Sequence, residues 1–239
     1  SSGARIILVD GDRVEERNLL RQNFYPEDLG RFKAQALAER LAMKFQMPVG
    51  YAVDPLLDPV EEGRGKQWRA PLNPGILVGC VDNAHARATM AQWTDRWRQS
   101  WWVDVGNGES FGQVLIGNAS KQSLQGVFYG ENGICYGLPK PTDQRPDLLL
   151  PPAPAPRQDC ADAVEAGEQS PTINQAMAAL TLEAVRRIVE GTCTWMQLSL
   201  DLQEGALRAT HASPELVSQM TGAPVDKLIR RTTTPAGRR

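Results

Sequence analysis

The chain has 239 residues, 41% apolar and 23% charged, with a net charge of −2, the balance of a globule able to bury a sizeable core. So small a net charge supplies no basic field for gripping a nucleic-acid backbone, and no apolar run reaches the roughly 18–20 residues that a membrane-spanning helix needs. Neither nucleic acid nor membrane is therefore expected as a partner. The four cysteines, Cys80, Cys135, Cys160 and Cys193, are scattered and form no CxxC pair, so no structural zinc is expected. Without a secretory signal the reading is cytoplasmic, with reduced thiols.

In chain order, Ala4 to Val9 is a continuous apolar, β-branched run, the mark of a buried parallel strand, and it ends in the acidic turn Asp10-Gly11-Asp12. From Arg31 to Phe45, Ala34, Leu37, Ala38, Leu41 and Phe45 recur at helical spacing, with Gly30 before and Pro48 after. Gly75 to Val81 reads as a second buried strand, followed by a helix from about Ala84 to Trp97. Trp101 to Val105 and Gln113 to Ile116 read as two more strands around the turn Gly106-Asn107-Gly108. Strand, helix, strand, helix, strand in this order predicts an α/β fold with a Rossmann-like, mostly parallel sheet and flanking helices.

The segment from Pro139 to Pro156 is rich in Pro and Leu, which excludes a regular helix and predicts an extended crossover over about 137–169. Ser170-Pro171 supplies an N-cap and a first-turn proline for a long helix from Thr172 to about Glu190, stopped by Gly191. Met196 to Leu202 and Ala206 to Thr210 predict a hairpin around Glu204-Gly205. The expected organisation is one α/β domain over 1–191 and a C-terminal hairpin with a solvated basic tail over 192–239. A Rossmann unit ordinarily opens with a strand and a glycine-rich phosphate turn. No such turn is present, so the first βα unit, about forty residues, is expected to be absent from this chain.

Asp10 ends a parallel strand, where an acid can accept hydrogen bonds from a ribose hydroxyl pair or simply shape a turn. Arg21 offers a planar fork for phosphate oxygens. Lys33 places a point charge at a positive helix end. Asn18 can hold phosphate or backbone oxygens. Asp82 ends the second strand, where a carboxylate can hold Mg²⁺ together with phosphate oxygens. Asp12 is suited to shaping the turn.

The stretch Asp10-Gly11-Asp12-Arg13-Val14-Glu15-Glu16-Arg17-Asn18-Leu19-Leu20-Arg21-Gln22 is followed by Asp28-x-Gly30-x-x-Lys33. Further on come Cys80-Val81-Asp82-Asn83 with Arg87, and then Gly106-Asn107. In this order these blocks resemble the ThiF/MoeB-type, ubiquitin-activating-enzyme-like adenylyltransferases, over Arg5 to about Gly191, with a nearer likeness to the PRTRC-type ThiF members. The resemblance implies ATP and Mg²⁺ as cofactors, handled by Asp10, Asp12, Asn18, Arg21, Gln22, Lys33, Asp82 and Asn83, with Asp82 on the metal. It implies adenylation of the C-terminal glycine of a ubiquitin-like or sulfur-carrier protein ending in Gly-Gly, by a homodimer. It also implies a thioester on Cys160, against which stand the neighbouring Asp159 and Asp162, since nearby acids raise a thiol's pKa.

Two other readings stand beside it. One is a non-catalytic scaffold half of a heterodimeric activating enzyme, favoured by the missing phosphate turn and opposed by Arg21, Lys33 and Asp82. The other is an NAD-dependent dehydrogenase, favoured by Asp10 alone. Cys80 is expected to pack within its strand, Cys135 and Cys193 to be inert, and His85 to cap a helix or lie on the surface. Trp93, Trp97, Trp101 and Trp102 are expected to pack helix against strand.

Overall fold

A computed structural model describes residues 5–19, 22–53, 75–96, 100–129, 134–150 and 171–230. The chain divides into two compact units, residues 1–70 and 71–239. Among the described residues no helix is long and apolar enough to cross a membrane.

In the first unit, strand β1 (Ile6–Val9) leads through the acidic turn to a single helical turn, α1 (Glu16–Leu19), then to helix α2 (Lys33–Phe45) and strand β2 (Val49–Ala52). β1 and β2 pair in parallel, Ile6 opposite Val49 and Val9 opposite Ala52. The long connection through α2 is what a parallel pair requires. Gly30 turns the chain into α2 at φ +77°, a conformation open to glycine. Gln46, in the left-handed region, ends the helix before Pro48. Val14, Phe24 and Ala36 form a small core with Leu19 and Leu37. Phe45, expected on the apolar face of α2, is exposed.

The second unit holds strand β3 (Ile76–Gly79), helix α3 (Ala84–Arg96), and strands β4 (Trp101–Asn107) and β5 (Phe111–Gly117). Then come the one-turn α4 (Pro141–Gln144), the long α5 (Pro171–Val189), strands β6 (Trp195–Asp201) and β7 (Ala206–His211), and helices α6 (Pro214–Thr221) and α7 (Val225–Leu228). Its five strands run β3-β4-β5-β6-β7. β3 and β4 are parallel, and every later neighbour is antiparallel. The class is therefore α/β with flanking helices, as expected, with its parallel pairing in β1–β2 and β3–β4. β6 pairs with β5, so the C-terminal hairpin continues the same sheet.

Alternation along the strands puts Val103, Val114, Ile116 and Leu198 on one face, where they pack with Ile173, Met177 and Ala184 of α5. A second cluster, around Phe128, Leu138, Met196 and Val217, gathers the C-terminal helices. α5 ends as expected at Gly191, with φ +66°; its expected cap Ser170 and the crossover over 151–170 lie outside the described residues. The Pro-rich segment differs from expectation. Pro141 opens one helical turn and Pro146–Leu149 one 3₁₀ turn, because a proline at the first helical position forfeits no hydrogen bond.

Candidate active site

In the first unit, Asp10 directly follows β1, and its backbone amide still bonds to Ala52 O at 3.1 Å. Its carboxylate accepts the Asp12 amide at 2.8 Å. Lys33, in the first turn of α2, donates from Nζ to Asp12 Oδ2 at 3.0 Å and from its amide to Asp12 O at 2.9 Å. The fold thus brings Asp10, Asp12 and Lys33 to the carboxyl end of one parallel strand, the position at which open α/β sheets bind ligands. The Lys33 side chain is only 15% exposed while that of Asp12 is 74% exposed, so the ammonium is held beside the turn. Burial pushes the Asp10 pKa up, against the pull of the Asp12 amide and the Lys33 charge.

Asn18 is buried, and its Oδ1 accepts the Glu15 amide at 2.8 Å. This is the reciprocal arm of a helix cap, closing the orphan donor at the start of α1. Its Nδ2 is the group it can offer to an oxygen. Gln22 is exposed and donates its amide to Asn18 O. Asp28, part of the motif spacing, is buried. Burial raises its pKa, but the Tyr25 amide and the Arg40 and Arg31 guanidiniums outweigh that and hold it below the ordinary value. Asp28 thus contributes stability at neutral pH that is lost as the pH falls through its folded-state pKa. Its role is to brace the turn into α2.

In the second unit, β3 stops at Gly79, and Cys80 to Asn83 form the turn into α3. Asp82 is exposed. Its Oδ1 is 3.3 Å from Asn83 Nδ2, while Asn83 Oδ1 caps α3 by accepting the Ala86 amide at 2.8 Å. An exposed carboxylate at a strand's carboxyl end, with oxygen acceptors still available, fits a hard cation shared with phosphate oxygens. Among the described residues no three His, Cys, Asp or Glu side chains gather into a metal cluster.

Asp104, in the middle of β4, was not singled out from the sequence. It is buried in an ion pair with Arg87 of α3, whose Nε lies 3.1 Å from Asp104 Oδ2. The signal that could have found it is the lone acid within the apolar run Trp101 to Val105, because a buried carboxylate needs a partner. Burial pushes its pKa from 3.8 up to about 6, against the pull of Arg87. The Trp102 indole Nε1 is buried without a hydrogen-bond partner among the described residues, yet lies near enough to favour the Asp104 carboxylate.

A raised folded-state pKa means that the folded protein holds the extra proton between the two values. The resulting stability is present in full below 3.8 and lost as the pH rises through about 6. Asp104→Asn should remove this dependence. The wild-type unfolding free energy should fall relative to the variant by on the order of 3 kcal/mol between acid and neutral pH. Denaturant titrations across that range check it, and parallel pH profiles for the two proteins would refute it.

Arg21 and Cys160 lie outside the described residues, as does Trp97. Cys80 corrects an expectation. It sits just past β3 and is exposed, because pairing of β3 with β4 ends at Gly79 opposite Asp104. Desolvation and then Asp104 push its thiol pKa up, which disfavours the nucleophilic thiolate. Cys135 is buried, its pKa pushed up to about 12 by desolvation and then by nearby Cys193. His85 lies exposed on the first turn of α3, and His211 Nδ1 is 3.0 Å from Thr194 Oγ1. Trp102 is fully buried, whereas Trp93 and Trp101 are partly so.

A family model described as the ThiF family matches residues 3–211. No curated protein matches in sequence. Among solved structures, Escherichia coli MccB is similar at 16% identity and a TM-score of 0.56, over 99% of this chain and 61% of that one. A structure of E. coli MccB with ATP is similar at 15% identity and a TM-score of 0.55, over 88% of this chain and 57% of that one. PaaA is similar at 18% identity and a TM-score of 0.56, over 87% and 64%. At these identities the likeness is one of fold, and the chain spans less than two thirds of the length of each.

Proposed function

This chain belongs to the ThiF family, and from that premise we propose that it uses ATP to adenylate the C-terminal carboxylate of a protein or peptide. The finer reading is a ubiquitin-like or sulfur-carrier protein ending in Gly-Gly, acted on in the cytoplasm by a homodimer. The observation that carries the proposal is the grouping of Asp10, Asp12 and Lys33 at the carboxyl end of β1. An acceptor suited to a ribose and a cation suited to a phosphate stand together there. The E. coli MccB structures solved with ATP and with AMPCPP and MccA support it.

The chemistry joins two anions. A carboxylate oxygen attacks the α-phosphorus, the bond from that phosphorus to the bridging oxygen breaks, and pyrophosphate leaves with the electron pair. Negative charge builds on the phosphoryl oxygens and the leaving group, so fixed positive charge is what the site must supply. Lys33 is held for this, Arg21 is assigned the same task, and the Asn18 amide can donate to an oxygen. Asp10 is assigned to the sugar, Asp12 holds Lys33 until phosphate competes for it, and the resemblance assigns Gln22 and Asn83 to nucleotide binding. Asp82 would hold Mg²⁺, which would neutralise phosphate charge. A thioester would follow if the Cys160 thiolate displaced AMP from the acyl-adenylate.

The test is ATP–pyrophosphate exchange with a panel of Gly-Gly-ending proteins and short peptides. Exchange that depends on one acceptor is expected. A Cys160→Ala variant should keep exchange and lose any acceptor thioester. ATP binding without exchange for any acceptor would favour the scaffold reading.

A further inference from the structure

Arg87 makes more contacts than an ion pair requires. Its Nε faces the Asp104 carboxylate at 3.1 and 3.3 Å, while its Nη2 donates to Val81 O at 2.6 Å. The same Nη2 lies 3.4 Å from where a side chain on Gly106 would begin. One planar fork therefore joins helix α3, the turn after β3 and strand β4. Arg87 is 9% exposed and Asp104 fully buried, so water competes little for these bonds.

Val81 O belongs to the peptide group whose nitrogen is that of Asp82. Fixing that carbonyl fixes the plane from which the Asp82 side chain springs. On the other side of Asp82, Asn83 is locked as the cap of α3. The backbone around Asp82 is thus pinned from both sides, while its carboxylate stays exposed. Asp104 in turn limits the rotation of the guanidinium, since both carboxylate oxygens face its single Nε–H while Nη2 is held by Val81 O. A lysine could meet Asp104 and Val81 O only as a rotatable point charge, without the rigid planar fork that fixes the angle between them.

We propose that Arg87 and Asp104 are positioning residues that aim the Asp82 carboxylate at a nucleotide-bound divalent cation through the Val81–Asp82 peptide. This rests on the adenylation reading and adds to it the means by which a single exposed carboxylate is held ready. Neither residue touches the cation itself.

The test measures Mn²⁺ binding in the presence of ATP, by electron paramagnetic resonance, for the whole chain. The variants are wild type, Arg87→Lys, Asp82→Ala and the double variant. Arg87→Lys keeps the charge that Asp104 needs, and thermal melts confirm folding. The expected result is a weakening of Mn²⁺ binding by about 10-fold in Arg87→Lys, with metal-free ATP binding unchanged. The same substitution should cost nothing further in the Asp82→Ala background, the signature of one residue acting through another. An equal loss in both backgrounds, or wild-type Mn²⁺ affinity in Arg87→Lys, would overturn the proposal while leaving adenylation standing. Wild-type protein that binds neither ATP nor Mn²⁺·ATP would overturn both.

Discussion

Asp82→Ala is expected to lower acceptor-dependent ATP–pyrophosphate exchange by at least about 10²-fold, the scale on which single electrostatic contributors to a transition state are lost. The side chain is exposed, and its one described polar neighbour is Asn83 Nδ2 at 3.3 Å, so its removal should leave the fold intact. Surface changes of that kind ordinarily stay within about 0.5 kcal/mol. A loss of exchange with an unchanged denaturation midpoint would therefore report on chemistry alone. Arg21→Ala should give a loss of similar size, since a phosphate-directed fork has no substitute in a neutral side chain. Exchange near the wild-type rate in Asp82→Ala would remove Asp82 from the site.

The largest effect on stability is expected at a residue with no side chain. A Cβ on Gly117, at the end of β5, would lie 1.9 Å from Pro139 O, 2.6 Å from Pro139 C and 2.8 Å from Lys140 Cα. These are backbone atoms and cannot swing aside. The segment they belong to is tied to β5 by Asn118 and Ala119 amides donating to Leu138 O at 3.0 Å, and by the Lys140 amide donating to Ala119 O. Buried Gln144 spans the same joint, its Nε2 donating to Ile116 O at 2.8 Å and Pro139 O at 2.6 Å. Gly117→Ala must open this joint, breaking several buried hydrogen bonds at about 1 kcal/mol each and leaving Gln144 short of partners. A destabilisation of about 3 kcal/mol or more follows.

Gly112→Ala makes the control. Its Cβ would meet the flexible Met177 side chain, 2.3 Å from Sδ and 2.7 Å from Cγ, and thioethers repack at lower cost. Urea denaturation of both variants checks this, and a Gly117→Ala protein as stable as Gly112→Ala would refute the argument.

Which elements were legible in the sequence follows from how their signals are written. β1, β3 and β4 are apolar runs, α2 and α5 carry helical spacing with a glycine or proline at an end, and the β6–β7 hairpin turns at Gly205 with φ +63°. Such signals lie within a few residues of each other. β2, of sequence Val-Gly-Tyr-Ala, has no strand pattern of its own and exists because its backbone pairs with β1. α6 carries local signals that went unread, Ser213 as its cap, Pro214 at its first position and Gly222 past its end, whereas α7 is four residues, too short to show a period.

The candidate site divides in the same way. Asp10, Lys33 and Asp82 could be named from order and spacing, because each sits at the end of an element whose period is visible. Family membership too was carried by the order of local blocks. Arg87 was visible as part of a block, but its link to Asp104, seventeen residues away, was not. The sequence left Asn18 open to phosphate or backbone oxygens, and the fold commits its side-chain Oδ1 to the Glu15 amide, leaving Nδ2 as the donor. What the sequence determined by itself was the identity and order of β1, α2, β3, α3, β4, β5, α5, β6 and β7, and the residue types standing at their ends, since periodicity, turn chemistry and charge are local properties. What only tertiary structure decided was the antiparallel joining of β4, β5 and β6 into one sheet, the backbone contact that requires glycine at 117, and the burial that pairs Asp104 with Arg87. Each depends on which distant segment fills the space beside a residue, and desolvation and close packing exist only once that space is filled.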